Sequence, residues 1–124
     1  MNYLAHAYLS FSDPDILAGN MISDFVKGKK KFDYPLKIRN GISLHRMIDE
    51  YTDYHPATKE AKQFLKSTSG LYAGSFIDIV YDHFLANDTH EFEEGALAVF
   101  AEKTYNQLDA YKNLLPEKFE KFLF

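Results

Sequence analysis

Residues 76–86, FIDIVYDHFLA, place two carboxylates in the middle of an apolar run that is typical of a helix. Asp78 and Asp82 are four residues apart, so on a helix they lie on one face while apolar side chains cover the rest. We therefore expect both acids to point inward or into a cleft. Neighbouring carboxylates with little water repel each other unless a cation, a proton or basic partners compensate. A divalent metal and salt bridges to neighbouring helices would both meet this requirement.

A second polar pair at helical spacing favours the metal. Residues 41–53, GISLHRMIDEYTD, carry His45 and Asp49 four apart, with Arg46 beside them. Imidazole and carboxylate together suit zinc, manganese or iron, and the oxygen-rich mixture favours a hard or borderline ion such as Mn²⁺. The sequence has no cysteine that would indicate a structural zinc site instead.

A third pair, Asn20 and Asp24, has the same spacing in another predicted helix. The adjacent Gly19 lowers helix stability by roughly 1 kcal/mol relative to Ala, which indicates that another element packs closely against it. His6 lies in an apolar, aromatic first segment, a setting more typical of a buried core histidine than of a ligand. If the three pairs converge with His6 and His83 in one cleft, the site would suit phosphoester hydrolysis, because a metal ion activates water and neutralises phosphoryl oxygens.

Low glycine and proline counts and sparse β-branched runs predict an all-α fold, in a single domain spanning residues 1–124. The first element is a helix or an extended segment at 2–11. The predicted helices then run from Ser12 or Asp13 to Gly28, from 35 to just before Pro56, and over 57–66, 74–89, 92–115 and 117–124.

Composition and charge exclude several classes of function. Without cysteine there are no disulfides or thiolate nucleophiles, which fits a reducing compartment. The chain begins without the basic region of a secretory signal and has no apolar run long enough to span a bilayer, so we expect a soluble cytoplasmic protein that does not bind membranes. The net charge of −4 argues against nucleic-acid binding.

Within this acidic protein, one stretch is strongly basic. Residues 27–46 contain one acid, Asp33, against seven cations: Lys27, Lys29, Lys30, Lys31, Lys37, Arg39 and Arg46. Residues 27–39 of this stretch are called the basic segment below. It could steer an acidic macromolecule to a nearby site, or it could simply be a solvated turn.

The last residues are strongly apolar, and the pattern stops in mid-helix. Phe119, Phe122, Leu123 and Phe124 would need a partner surface. We expect either that the C-terminal part of the domain is incomplete or that these aromatics form a homodimer contact.

Four sequence blocks together resemble one known family: NYLAHAYLS, GNMISDFVKG, GISLHRMIDEYTD and DIVYDHFLA. The chain resembles the acyl carrier protein phosphodiesterases, relatives of the HD-domain metal-dependent phosphohydrolases, from Met1 to about Ala86. The resemblance implies an HD-like bundle of about six to seven helices, here lacking the family's C-terminal helices. It also implies Mn²⁺-dependent removal of 4′-phosphopantetheine from the serine of holo acyl carrier protein.

The resemblance also implies roles for individual residues. The expected metal ligands or orienters are, above all, Asp24, His45, Asp78 and Asp82, followed by His6 and Asp49. The expected catalytic residues are His83, Arg46 and Asn20. Arg46 would hold a phosphate oxygen, while His83 would be a ligand, an outer partner of the ion or a proton donor to the leaving serine oxygen.

Because acyl carrier protein is small and acidic, the resemblance makes the basic segment a predicted docking surface. Two other readings remain open at this stage. One keeps the metal site but hydrolyses a nucleotide or another small phosphoester. The other is a truncated homologue that binds a carrier protein without turnover.

Overall fold

A computed structural model describes residues 2–123, and the secondary structure in this range consists of helices without strands. The predicted all-α fold is confirmed. The α-helices are α1 (Tyr3–Tyr8), α2 (Pro14–Ile22), α3 (Leu36–Tyr54), α4 (Pro56–Ser69), α5 (Ala73–Ala86), α6 (Ala96–Asp109) and α7 (Glu117–Leu123). Short 3₁₀ turns lie at Ser23–Phe25, Gly28–Asp33, Gly70–Tyr72 and Lys112–Leu114.

Capping residues and prolines set several helix boundaries as predicted. The Asp13 side chain accepts hydrogen bonds from the backbone N–H groups of Asp15 and Ile16, at 3.1 and 3.2 Å, which caps α2. Between α3 and α4, His55 has an extended conformation because it precedes Pro56. Its ring accepts a hydrogen bond from the backbone N–H of Ala57 and caps α4.

Two predicted helices are shorter than expected. The helix predicted to reach Gly28 ends at Ile22 and continues as the 3₁₀ turn Ser23–Phe25, so Asp24 lies in this turn. The helix predicted at 92–115 is α6, which begins only after Gly95, whose φ of 80° is left-handed. Phe124, which was predicted to end the last helix, lies outside the described residues.

The tightest helix contact joins α2 and α3 at two glycines. A Cβ atom on Gly19 would lie 1.9 Å from the Ile38 carbonyl oxygen and 2.8 Å from the Gly41 Cα. A Cβ on Gly41 would lie 2.3 Å from the Ile16 carbonyl oxygen. The prediction of close packing against Gly19 is confirmed, and this contact sets how closely the two helices approach.

The main core lies where α2 and α3 meet α6 and α7. Its fully buried members include Ile22, Ile42, Leu108 and Phe119. Phe119 therefore fills the protein's own core, whereas Phe122 is 62% exposed, with its ring 5.3 Å from that of Tyr3. The predicted homodimer contact stays a prediction that rests on Phe122.

The apolar side chains of α5 are only partly covered. Ile77 is buried and both acids are half-buried, but Phe76, Ile79 and Phe84 are exposed, so much of the apolar surface around Asp78 and Asp82 is open to solvent. Within residues 2–123, none of the helices combines the length and apolarity required to cross a membrane.

Candidate metal centre

Three predicted ligands from two helices converge on one point. His6 lies on α1, and His45 and Asp49 lie one turn apart on α3. Each offers a ligand atom, and these atoms all lie within 4.8 Å of one another. Both imidazoles are buried, and their rings stack with centroids 3.8 Å apart and planes 8° from parallel. Among the described residues, these three form the candidate metal centre.

The two oxygens of Asp49 each face one histidine. Oδ1 lies 3.0 Å from His6 Nε2, and Oδ2 lies 3.2 Å from His45 Nε2. Asp24 joins from the 3₁₀ turn after α2, with its Oδ1 3.3 Å from the same His45 nitrogen. His45 Nε2 thus has two carboxylates around it.

The other ring nitrogen of His45 fixes the tautomer. His45 Nδ1 lies 2.8 Å from the backbone carbonyl oxygen of Asn20. Since a carbonyl oxygen only accepts hydrogen bonds, Nδ1 carries the proton and donates it. Nε2, which faces Asp24 and Asp49, is then the nitrogen that can give up its proton and offer a lone pair to a metal ion, as in a metal-binding histidine whose other nitrogen donates to a carbonyl.

The pKa values show how strongly this cluster favours a positive charge. Burial alone would lower the pKa of His45, but hydrogen bonds and charges from Asp24 and Asp49 outweigh it and raise this pKa to about 9. The hydrogen bond from His45 lowers the pKa of Asp24. Burial would raise the pKa of Asp49, but hydrogen bonds from His45 and His6 lower it overall. Both carboxylates are ionised near neutral pH, and either a proton or a metal ion compensates them.

The donor set fits a divalent cation. Two atoms that bind one ion at about 2.1 Å and at right angles lie about 3.0 Å apart. The imidazole–carboxylate separations of 3.0 to 3.3 Å are close to this value and are also those of hydrogen bonds. Two imidazoles with carboxylates suit Mn²⁺, Fe²⁺ or Zn²⁺. The Asp24 side chain is 66% exposed, so this side of the cluster is open to solvent.

Asn20, a predicted catalytic residue, lies behind the histidines and is 0% exposed. Its side-chain amide donates to the backbone carbonyl of His6 at 2.9 Å and to Ser10 Oγ at 3.1 Å. The backbone carbonyl of Asn20 accepts a hydrogen bond from His45 Nδ1, as described above. Asn20 therefore contacts both histidines and is shielded from any substrate.

The predicted ligands on α5 lie outside the candidate metal centre. Asp82 accepts hydrogen bonds from the backbone N–H groups of Leu4 and Ala5, at 3.1 and 3.0 Å, and so completes the first turn of α1. Asp78 lies one turn earlier on α5 and is half-buried, and His83 is exposed. The predicted metal or catalytic roles of these three residues stay predictions.

Arg46 lies next to the candidate metal centre and contacts the residue just before the basic segment. It is exposed, and its Nη2 donates to the Val26 carbonyl at 3.4 Å, just before Lys27. The 3₁₀ turn Gly28–Asp33 then exposes Lys29 and Lys30, together with Phe32, whose side chain is 60% exposed. Lys31 and Arg39 lie 5.2 and 5.7 Å from the centre of the Phe32 ring.

Two residues at the site were not predicted. Ser10 Oγ donates to the His6 carbonyl at 2.8 Å, and its position four residues after His6 is the signal that could have revealed it. Burial raises the pKa of Tyr3, and the negative charge of nearby Asp24 raises it further. No polar spacing marks Tyr3 in the sequence.

The helical bundle and its cluster of two buried histidines with aspartates beside them define a class of protein, that of helical proteins with a candidate metal centre. The family is shown by sequence comparison. The family model for acyl carrier protein phosphodiesterase matches residues 1–124. The chain belongs to the acyl carrier protein phosphodiesterase family.

Curated relatives carry the same description. A protein from Enterobacter sp. named acyl carrier protein phosphodiesterase is 40% identical over 69% of this chain and 45% of its own length. One of that name from Photorhabdus laumondii is 31% identical over 98% of this chain and 62% of its own length. One from Escherichia coli is 37% identical over 69% of this chain and 45% of its own length. The chain thus spans about half the length of the curated relatives it matches. No solved structure matches it significantly.

Proposed function

We propose that this protein is a metal-dependent phosphodiesterase that removes 4′-phosphopantetheine from the serine of holo acyl carrier protein. The observation that carries the proposal is the convergence of His6, His45 and Asp49, with Asp24 beside them, in a member of this family. The HD-like character of the bundle is part of the same proposal. Manganese is the proposed ion because the donor set mixes imidazole with carboxylate oxygen.

His6, His45 and Asp49 would hold the ion, with Asp24 on the exposed side. When bound, the ion lowers the pKa of a coordinated water and neutralises charge on the phosphoryl oxygens. In the proposed reaction, the oxygen of water bonds to phosphorus and the bond from phosphorus to the serine oxygen breaks. The serine oxygen takes up a proton, so the products are apo carrier protein and free 4′-phosphopantetheine.

The protein's own residues would orient and bind the substrate. Arg46 is exposed beside His45, and its hydrogen bond to the Val26 carbonyl leaves further N–H groups for a phosphate oxygen. His83 is the proposed proton donor to the serine oxygen. Its exposure on α5 gives it access to solvent for reprotonation.

The basic segment is the proposed docking surface for the acidic carrier protein. It begins three residues after Asp24, and the Arg46 hydrogen bond joins its start to the helix that carries His45. The proposed contacts are Lys27, Lys29, Lys30, Lys31, Lys37 and Arg39. Docking there would bring the serine that carries 4′-phosphopantetheine close to the exposed side of the candidate metal centre.

The test is intact-mass spectrometry of holo acyl carrier protein incubated with the purified protein and Mn²⁺, with an EDTA-treated control. We expect metal-dependent loss of the phosphopantetheine mass from the carrier. If the carrier mass is unchanged although Mn²⁺ binds, a small phosphoester becomes the substrate. If there is neither turnover nor bound metal, the protein is either a non-catalytic relative that binds a carrier or an inactive fragment.

Reversing two charges in the basic segment is expected to slow only the reaction with the carrier. The double variant Lys29→Glu, Lys30→Glu should lower kcat/KM for holo acyl carrier protein by about 10-fold or more at low salt, since electrostatic steering changes association rates by 10 to 10³. Hydrolysis of bis(4-nitrophenyl) phosphate should stay unchanged. The difference should shrink in 1 M salt, where the Debye length is about 3 Å.

The matched control is Lys59→Glu, Lys66→Glu, which makes the same charge change on exposed positions of α4. An equal loss of carrier hydrolysis in both double variants would assign the effect to net charge. An equal loss on both substrates would rule out docking at the basic segment.

A further inference from the structure

We propose that Asn20 is a positioning residue that holds the two histidines of the candidate metal centre in place relative to each other. The inference rests on the proposed function, because it gives Asn20 a role in metal binding. Asn20 is 0% exposed on α2, whereas His6 and His45 lie on α1 and α3. Its side chain contacts the end of α1 and its backbone carbonyl contacts α3, so it joins the three helices behind the site.

At the first histidine, Asn20 replaces a missing backbone bond. The backbone N–H of Ser10, which in a longer helix would bond to the His6 carbonyl, instead bonds to the Ala7 carbonyl at 3.2 Å. The His6 carbonyl accepts from Ser10 Oγ at 2.8 Å and from Asn20 Nδ2 at 2.9 Å. Side chains therefore hold the end of α1, and one of them belongs to α2.

At the second histidine, His45, it is the backbone of Asn20 that makes the contact. The Asn20 carbonyl accepts from His45 Nδ1 at 2.8 Å, which leaves Nε2 facing the carboxylates. This carbonyl is held in place because α2 packs against α3 through Gly19 and Gly41. Asn20 thus fixes the tautomer of His45 with its backbone and the position of His6 with its side chain.

Metal affinity should depend on this double contact. The two imidazoles are stacked, and both Nε2 atoms face Asp49, so a small movement of α1 would change the separation of the donors. The partners that orient metal-binding histidines typically contribute 10- to 100-fold to metal affinity. Asn20→Ala removes the donor to the His6 carbonyl and leaves the backbone bond to His45 in place.

The experiment measures Mn²⁺ binding by titration calorimetry and the visible absorption of the Co²⁺-loaded protein, which reports ligand geometry. We expect Asn20→Ala to raise the Mn²⁺ Kd by 10- to 100-fold and to change the Co²⁺ spectrum while the helical circular dichroism is kept. The matched control is Ser23→Ala, a buried polar residue just after α2 whose Oγ lies 3.5 Å from the Ile42 carbonyl and contacts neither histidine. It should bind both ions as the wild type does.

If Asn20→Ala does not fold, Asn20→Leu takes its place, because leucine keeps a side chain of similar shape but has no donor for the His6 carbonyl. Wild-type Kd and spectrum in the folded variant would overturn the inference, and so would an equal loss of affinity in Ser23→Ala. In both cases the wild type still binds the ions, so the proposed function stands. A wild type that binds neither Mn²⁺ nor Co²⁺ would overturn the proposed metal site and this inference together.

Discussion

Replacing Asp49 with asparagine is expected to weaken Mn²⁺ binding by more than about 100-fold, beyond the usual effect of an outer partner, and to abolish metal-dependent hydrolysis. Asp49 faces both histidines, with one oxygen 3.0 Å from His6 and the other 3.2 Å from His45. Asparagine keeps the shape of the side chain but removes its charge and one of its two acceptor oxygens. The site then keeps the imidazoles and loses the carboxylate between them.

The measurement is Mn²⁺ titration calorimetry together with the intact-mass assay on holo acyl carrier protein. The matched control is Asp53→Asn, one turn further along α3, where the carboxylate is half exposed and lies 3.7 Å from Lys62 Nζ. This variant should bind Mn²⁺ and react as the wild type does. Wild-type Mn²⁺ affinity in Asp49→Asn would show that the ion lies elsewhere, and Asp78 and Asp82 would then be the next residues to test.

Gly19→Ala is expected to lower the free energy of unfolding by about 3 kcal/mol, the upper end of the usual range for overpacking. The added Cβ would meet the Ile38 carbonyl oxygen at 1.9 Å and the Ile42 nitrogen at 2.8 Å. These are backbone atoms in the first two turns of α3, so the clash cannot be relieved by rotating a side chain. The helices must separate, and the hydrogen bond from His45 to the Asn20 carbonyl lengthens with them.

Gly74→Ala is the matched control, since it makes the same chemical change in another helix. A Cβ on Gly74 would meet only the Lys62 side chain, at 3.7 Å or more, which is ordinary contact. We expect this variant to be more stable than the wild type by up to about 1 kcal/mol, the helix-propensity gain of alanine. Urea unfolding followed by circular dichroism measures both effects. Equal unfolding midpoints for Gly19→Ala and the wild type would contradict the close contact between α2 and α3.

The sequence was most informative where one residue type has one main physical use. Pro56 and the preceding His55 marked the break between α3 and α4, and Gly19 indicated a close helix contact. The spacing of His45 and Asp49 correctly placed them on one face of a helix. These features depend on local backbone geometry, which a short stretch of sequence determines.

The sequence was less informative about which partner compensates each carboxylate. Asp49 and Asp82 occur in similar helical patterns, yet one faces two histidines and the other accepts from two backbone N–H groups. Helical spacing shows which side chains share a face but not what lies opposite that face. The pairing of His6 with Asp49 depends on how α1 packs against α3, and their separation of 43 residues gives no local signal.

The cap that Asp82 forms on α1 has a consequence for the order in which the candidate metal centre is assembled during synthesis. A nascent chain that has emerged from the ribosome through α4 already contains His6, Asp24, His45 and Asp49. It still lacks the carboxylate that holds the Leu4 and Ala5 amides, 78 and 77 residues away in sequence. The first helix therefore gains its final support only when α5 folds against it, so the candidate metal centre is completed late in translation although its residues are made early.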